Sequence, residues 1–235
     1  MHIEGKVVLI TGGTGGLGQH VTRAFLEHGA TVVLPYREQA SFSALKVALG
    51  DLVGGVHGLQ ADLLDELSVA QVVKEVVDRF GRIDVLVHLV GGFLGGVPVA
   101  ETTLAQWEHM IRLNLLSTFL CCRHVVPVMM RQNSGKIITV GAQAGLQGRA
   151  KVAAYAAAKA AVLNFTQSLA GEVKKYHINV NAVVPSTIDT PANRAAMPDA
   201  DYSQWVSPQS IAEVILFLTS DAARDIHGAI VPVFG

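Results

Sequence analysis

Apolar residues along the 235-residue chain fall into two alternating patterns. Short β-branched runs recur at KVVLIT (6–11), TVVLP (31–35), VHGLQ (56–60), DVLVHLV (84–90), KIITV (136–140), INVNAVV (178–184) and AIVPV (229–233). Longer stretches with helical spacing lie between them. Over 65–80, for example, Leu67, Ala70, Val73, Val76, Val77 and Phe80 fall near one face. Strands that read as near-continuous apolar runs are buried on both sides, which predicts an α/β fold with a parallel sheet between two helix layers. Pro232 has no N–H to give a neighbouring strand, so the last strand is expected at an edge. No repeat or linker divides the chain, and residues 1–235 read as one domain.

One segment breaks the alternation. Residues 186–207, STIDTPANRAAMPDADYSQWVS, carry Met197, Tyr202 and Trp205 with little periodicity. Following the sixth strand, this segment is a candidate lid over whatever binds at the C-terminal ends of the strands.

Half of the residues are hydrophobic and 16% are charged, ample for a packed core. A net charge of −1, a pI near 6.7 and the lack of any basic block argue against a nucleic-acid or anionic-membrane partner. The adjacent Cys121 and Cys122 cannot easily close a strain-free bridge and read as reduced packing residues. The start, MHIEGKVVLITGG, is a strand entering a loop rather than a signal peptide, and no run of about 18 apolar residues is free of charges and punctuation. A cytoplasmic protein acting on a small molecule is expected. The nine histidines show no metal-ligand spacing, so no metal site is expected.

The first candidate chemistry is TGGTGGLG (11–18), between the first strand and a helix. Glycines there let the backbone turn tightly and approach a pyrophosphate held at the helix N-terminus. Two spacings fit, one through Gly13, Gly15 and Gly18 and one through Gly12, Gly16 and Gly18. At the end of the second strand, where an acid would hold the ribose of NAD, the chain reads LPYRE, with Tyr36 in that place and Arg37 beside it. Without the carboxylate, and with an arginine fork for a 2′-phosphate, the sequence favours NADP over NAD. The other reading has Arg37 as a solvated charge and Glu38 as the ribose ligand. Asp62, after the third strand, is a candidate adenine contact or a structural turn acid.

The second is YAAAK (155–159), in an alanine-rich helical stretch. The spacing puts Tyr155 and Lys159 on one face, one turn apart. An ammonium there is expected to lower the phenol's pKa and let it exchange a proton near neutral pH.

With these motifs in this order, the chain resembles the short-chain dehydrogenase/reductase family nearly end to end. The resemblance runs through TGGTGGLG, Asp62, IDVLVHLVGG (83–92), RLNLLSTF (112–119), YAAAK, the proline of NAVVPS (181–186) and SPQSIAEVILFLTSDAARDIHG (207–228). It implies a Rossmann-like, doubly wound sheet of seven mainly parallel strands that binds NAD(P)H. It also implies cofactor contacts from Thr11, Gly12, Thr14, Gly16, Leu17, Gly18, Asp62, Gly91, Lys159 and Pro185. Tyr155 is the implied proton donor, Lys159 the ribose ligand that acidifies it, and Asn114 the helix asparagine whose backbone holds a relay water. Helices over 102–132 and 152–175 carry surplus apolar surface, and in this family such helices pair across two-fold axes, so a homodimer or homotetramer is expected.

The departures are informative. The family's N-N-A-G is here His88–Leu89–Val90–Gly91, Ser186 follows Pro185 where glycine is usual, and the catalytic serine falls on Ala142, thirteen positions before Tyr155. Thr139 lies three residues back, roughly 10 Å along the strand. Gln143 and Gln147 are nearer donors, and His88 is a further substitute. Dihydropteridine reductases also keep the tyrosine–lysine pair and lack the serine. The chain is similar to them at VGG (90–92), GAQAGL (141–146) and PSTIDTPANRAAMPDADYSQW (185–205), and elsewhere looks like bacterial oxoacyl reductases. Ala142, Gln143, Phe93, Met197 and Trp205 are the candidate substrate residues. The expected function is hydride transfer to an activated acceptor, a quinonoid dihydropterin being favoured. The alternatives are a carbonyl reductase with a substitute for the serine, and a dinucleotide-binding protein without chemistry.

Overall fold

The computed structural model describes residues 3–235. The first half runs β1 (Val7–Thr11), α1 (Gly18–Glu27), β2 (Thr31–Tyr36), α2 (Gln39–Leu49), β3 (Val56–Gln60), α3 (Glu66–Phe80), β4 (Val85–His88), α4 (Leu104–Ile111) and α5 (Ser117–Gln132). The second half runs β5 (Gly135–Val140), α6 (Gln143–Leu146), α7 (Ala153–Val173), β6 (Ile178–Pro185), α8 (Pro191–Ala196), α9 (Pro208–Thr219) and β7 (Ile230–Val233). All seven expected strands form. They make one sheet in the order β3-β2-β1-β4-β5-β6-β7, with parallel pairing throughout. Pro232 lies in edge strand β7, opposite Val184, where its missing N–H breaks no inner ladder.

Neighbouring side chains of a strand point to opposite faces, and β1 divides accordingly. Val8 and Ile10 enter a core with Phe25, Leu34, Ile211 and Ile215 beneath α1 and α9. Val7 and Leu9 enter the other, with Val72, Val76, Val125 and Met129 beneath α3 and α5. This two-sided burial is the physical content of the unbroken apolar runs.

Helix ends follow local chemistry. Asp65 caps α3 by accepting from the Leu67 N–H, and Gly81 closes it at φ 75°. Thr103 and Gln106 form a reciprocal capping box on α4. The face of α3 differs from the expected one, because Leu67 is 80% exposed. The buried stripe is Val69, Val72, Val73 and Val76. Leu67 precedes Val69 by two residues, about 200° around the helix, and so points to solvent. Strand β4 ends at His88, two residues earlier than its apolar run suggests, because Leu89 and Val90 turn away beneath the glycine loop.

The helical run 104–132 comprises α4, a π-helical turn at Arg112–Leu116 and α5. By length and mean hydropathy it could cross a membrane, but it carries charges such as Arg112 and Arg123, and half of its most apolar window is buried inside the fold. Buried residues of α5, among them Leu120, Val125 and Met129, belong to the core they share with α3. That is the burial of a core helix.

Phe25 is fully buried between α1 and the sheet. Phe25→Ala is expected to lower unfolding free energy by about 3–5 kcal/mol, measured as a fall in the urea midpoint at unchanged m-value.

Candidate active site

The chain changes direction in the sheet between β1 and β4, and ligands of doubly wound sheets bind outside the strand ends at such a point. Backbone packs on backbone there. Gly12 has φ 69°, and a methyl group on it would lie 3.0 Å from both Leu89 C and Val90 N. A methyl on Gly18 would lie 2.0 Å from the Gly12 carbonyl oxygen. Helix α1 then starts with neither a side-chain cap nor an acid in its first turn. Its leading N–H groups and positive dipole end therefore suit a pyrophosphate, and the glycine cradle leaves room for one. Thr14 is half-buried on the loop, and Leu17, at the cap position, packs partly into the core.

Thr11 faces inward. Its buried hydroxyl accepts from the Leu89 N–H at 3.2 Å and lies 2.9 Å from His88 Nδ1. On the other edge of His88, Nε2 lies 3.1 Å from Ser117 Oγ, which itself donates to the Leu113 carbonyl at 2.7 Å. Ser117 spends its hydrogen on Leu113, so it accepts from His88 Nε2–H, and His88 Nδ1 accepts from Thr11. His88 is thus a neutral, saturated histidine. Burial, with the nearby Lys159 ammonium, pushes its pKa down to about 3. This excludes it as a substitute for the serine, and the Thr11 hydroxyl is a structural link between β1 and the exit of β4.

Lys159 and Asn114 converge beneath Gly91. A methyl on Gly91 would lie 2.7 Å from Asn114 Oδ1 and 3.2 Å from Lys159 Nζ. Asn114 sits in the π-helical turn, a distortion often found at functional sites. Its amide grips Gly92 in both directions, at 3.2 Å each, and also donates to the Met110 carbonyl at 3.0 Å. Its own carbonyl accepts from Thr118 Oγ1 at 2.6 Å. Lys159 Nζ donates to the Val140 carbonyl at 2.8 Å, at the end of β5.

Tyr155 lies one turn before Lys159 on α7, with Phe93 edge-on at 5.0 Å. Burial pushes the phenol up to about 12 and the lysine down to about 8. The expected acidification of Tyr155 by Lys159 is therefore absent: desolvation dominates, and Lys159 is engaged with Val140. Ala142 is buried in extended backbone ahead of α6, at the place expected for a hydroxyl. Gln143, next to it, accepts from Arg149.

The other expected residues are more dispersed. Pro185 is buried at the end of β6. Asp62 is exposed and accepts from the Leu64 N–H at 2.9 Å, as a turn acid does. Tyr36 stacks flat on Phe42 at 4.6 Å, while the Arg37 side chain is 81% exposed, 3.5 Å from Glu38. Trp205 packs on Tyr202 at 4.7 Å, and Met197 accepts from the Tyr202 hydroxyl at 3.2 Å, so these residues form a cluster within segment 186–207. Phe93, by contrast, pairs with Tyr155 itself.

Sequence reasoning missed Thr190, which caps α8 ahead of Pro191 and lies 2.9 Å from where a methyl on Gly16 would be. A threonine before a proline signals a helix start, but not a seat on the glycine loop. A groove of about 400 Å³ lined by Val99, Leu104, Trp107 and Ala153 opens beside the start of α7 rather than over the glycine loop.

A fold of this order, with a glycine cradle, a Tyr-x-x-x-Lys turn and an asparagine in a helix kink, defines a nucleotide-dependent oxidoreductase architecture. The family model described as short chain dehydrogenase matches residues 6–201. The chain belongs to the short-chain dehydrogenase/reductase family of oxidoreductases. It is 33% identical over 243 aligned residues to the 3-oxoacyl-(acyl-carrier-protein) reductase of Thermotoga maritima, covering 100% of this chain and 98% of that protein. ElxO solved with NADP bound superposes at a TM-score of 0.93 with 27% identity, covering 97% of each chain. An NAD+-bound xylitol dehydrogenase shares the fold at a TM-score of 0.92 and 23% identity, covering 100% of both. Related folds thus hold either dinucleotide.

His88→Asn tests the buried network by acid stability. A neutral histidine at a pKa near 3 in the fold gains a proton on unfolding below its ordinary pKa of about 6.5. Its contribution to stability is present above that value and is lost progressively as pH falls toward 3. The variant is expected to show a shallower fall in urea midpoint between pH 7 and pH 4 than the wild type.

Proposed function

We propose that the chain is an NADPH-preferring carbonyl reductase of the oxoacyl or ketone class. The observation that carries this reading is the convergence of Lys159 and Asn114 beneath Gly91, one turn from Tyr155. End-to-end similarity to a 3-oxoacyl reductase supports it. The dinucleotide, when bound, supplies the hydride. The residues that would hold it are Gly12, Thr14, Gly16, Leu17 and Gly18 at the pyrophosphate, Arg37 at a 2′-phosphate, and Asp62, Gly91, Pro185 and Lys159 along the remainder.

Tyr155 carries its proton at neutral pH and gives it to the carbonyl oxygen as the oxygen becomes an alcohol. Lys159 keeps a cation behind it, and Asn114 fixes the 91–92 turn. Segment 186–207 serves as the substrate lid, and Phe93, Met197 and Trp205 shield the acceptor from water. The protein acts in the cytoplasm on a small molecule, with neither nucleic acid nor membrane as partner. Exposed Trp107 and Phe119 on the α4–α5 face support a homodimer or homotetramer.

A second reading is favoured by one observation, the buried methyl of Ala142 where a hydroxyl would steady a developing alkoxide. Loss of such a donor costs about 10²–10³ in rate, which an activated acceptor such as a quinonoid dihydropterin tolerates. Turnover of acetoacetyl-CoA, a soluble 3-oxoacyl thioester, against quinonoid dihydropterin separates the two readings.

Tyr155→Phe is expected to lower kcat by about 10²–10⁴ with NADPH affinity unchanged. Equal rates in the two proteins on every acceptor overturn the mechanism. Arg37→Ala is expected to raise KM for NADPH about tenfold or more, with KM for NADH little changed, as loss of a charge-assisted phosphate contact requires.

A further inference from the structure

We propose that Gln143 takes the place of the absent serine hydroxyl as hydrogen-bond donor to the substrate carbonyl oxygen, and that Arg149 is its positioning residue. This rests on the carbonyl-reductase reading.

Gln143 directly follows Ala142 and opens α6 at the end of β5, where Lys159 is anchored to the Val140 carbonyl. Helix α6 lies against the turn of α7 that presents Lys159. A methyl on Gly145 would come within 2.9 Å of Lys159 C and 3.0 Å of Ala160 N. The Gly145 N–H also donates to the Ala142 carbonyl at 2.8 Å, which fixes the start of α6 to the strand end.

Arg149 Nη2 donates to Gln143 Oε1 at 2.6 Å. A guanidinium has only donors, so it must face the amide oxygen, and the amide nitrogen is turned away with both hydrogens unspent. An untethered glutamine would present oxygen as readily as nitrogen, and its oxygen would repel a developing alkoxide. The arginine charge also withdraws density from the amide and strengthens its N–H donors.

Two of the other substitutes, Thr139 and His88, are already committed. Thr139 Oγ1 is buried 2.7 Å from Thr166 Oγ1, and both ring nitrogens of His88 are used. Gln143 donates a hydrogen bond that strengthens as charge gathers on the oxygen. The transferred proton still comes from Tyr155 and the hydride from the dinucleotide, which leaves oxidised.

The test measures kcat and KM for NADPH-dependent reduction of acetoacetyl-CoA, a cyclic diketone and an aromatic ortho-quinone. The proteins are wild type, Gln143→Ala, Gln143→Glu, Arg149→Ala, the Gln143→Ala/Arg149→Ala double variant and Gln143→Ala/Ala142→Ser. Gln143→Glu keeps the shape and the arginine contact but removes the donor. Both Gln143 variants are expected to lose about 10²-fold in kcat on the carbonyl that turns over fastest, with NADPH affinity and circular dichroism unchanged. Arg149→Ala is expected to lose about tenfold in kcat alone, and nothing further once Gln143 is alanine. That non-additivity is what a positioning role requires and a merely structural one lacks. Ala142→Ser is expected to restore at least tenfold in the Gln143→Ala background. Tyr155-dependent turnover that Gln143→Ala leaves within threefold overturns this inference alone, as do additive losses at the two positions for the role of Arg149. Lack of Tyr155-dependent turnover on every acceptor overturns the carbonyl-reductase reading and this inference with it.

Discussion

The site depends on one close approach, that of the backbone leaving β1 to the backbone leaving β4. Gly12 can sit there because it tolerates φ 69° and carries no Cβ, which would press on Leu89 and Val90. Once those segments touch, Thr11 reaches Leu89 and His88, and His88 reaches Ser117. The glycine loop, the exit of β4 and the helix with the π-helical turn are thereby joined through buried hydrogen bonds. Gly91 then offers the gap into which Asn114 and Lys159 converge. A side chain at Gly12 would press the two backbone segments apart, and one at Gly91 would displace the ends of the Asn114 and Lys159 side chains.

Burial sets the electrostatics of this site more than charge pairing does. Lys159 is held at the Val140 carbonyl in a dry setting, and desolvation alone accounts for its depressed pKa. The same desolvation raises Tyr155, which keeps the phenol protonated, the form a reductase must hold. Supplying a proton is therefore straightforward, and the harder demand is charge on the substrate oxygen. Ala142 contributes only a methyl at the end of β5, and Gln143, the first residue of α6, accepts a hydrogen bond from Arg149 beside it.

Much of this was legible along the chain because the signals are local. Seven strands show as runs of apolar residues, since a strand buried on both faces admits little else. The glycine loop shows through its spacing, and Tyr155 with Lys159 through one helical turn. Reading failed where the outcome depends on what comes near from elsewhere. The buried stripe of α3 was placed one side over, because its apolar residues outnumber those the sheet can cover. The pairing of Trp205 with Tyr202 inside segment 186–207 likewise shows only in three dimensions.

The sequence by itself determined the layered architecture and the family, because periodicity and motif spacing are properties of neighbouring positions. Only the tertiary structure decided that His88 is a sealed link rather than a donor, that Thr190 rests on the glycine loop, and that Tyr155 is raised rather than lowered in pKa. Each of those outcomes is set by desolvation or by a partner far away along the chain: Ser117 is 29 residues from His88. A pKa and a hydrogen-bond role belong to an environment, and the environment exists only once the strands have brought distant segments together.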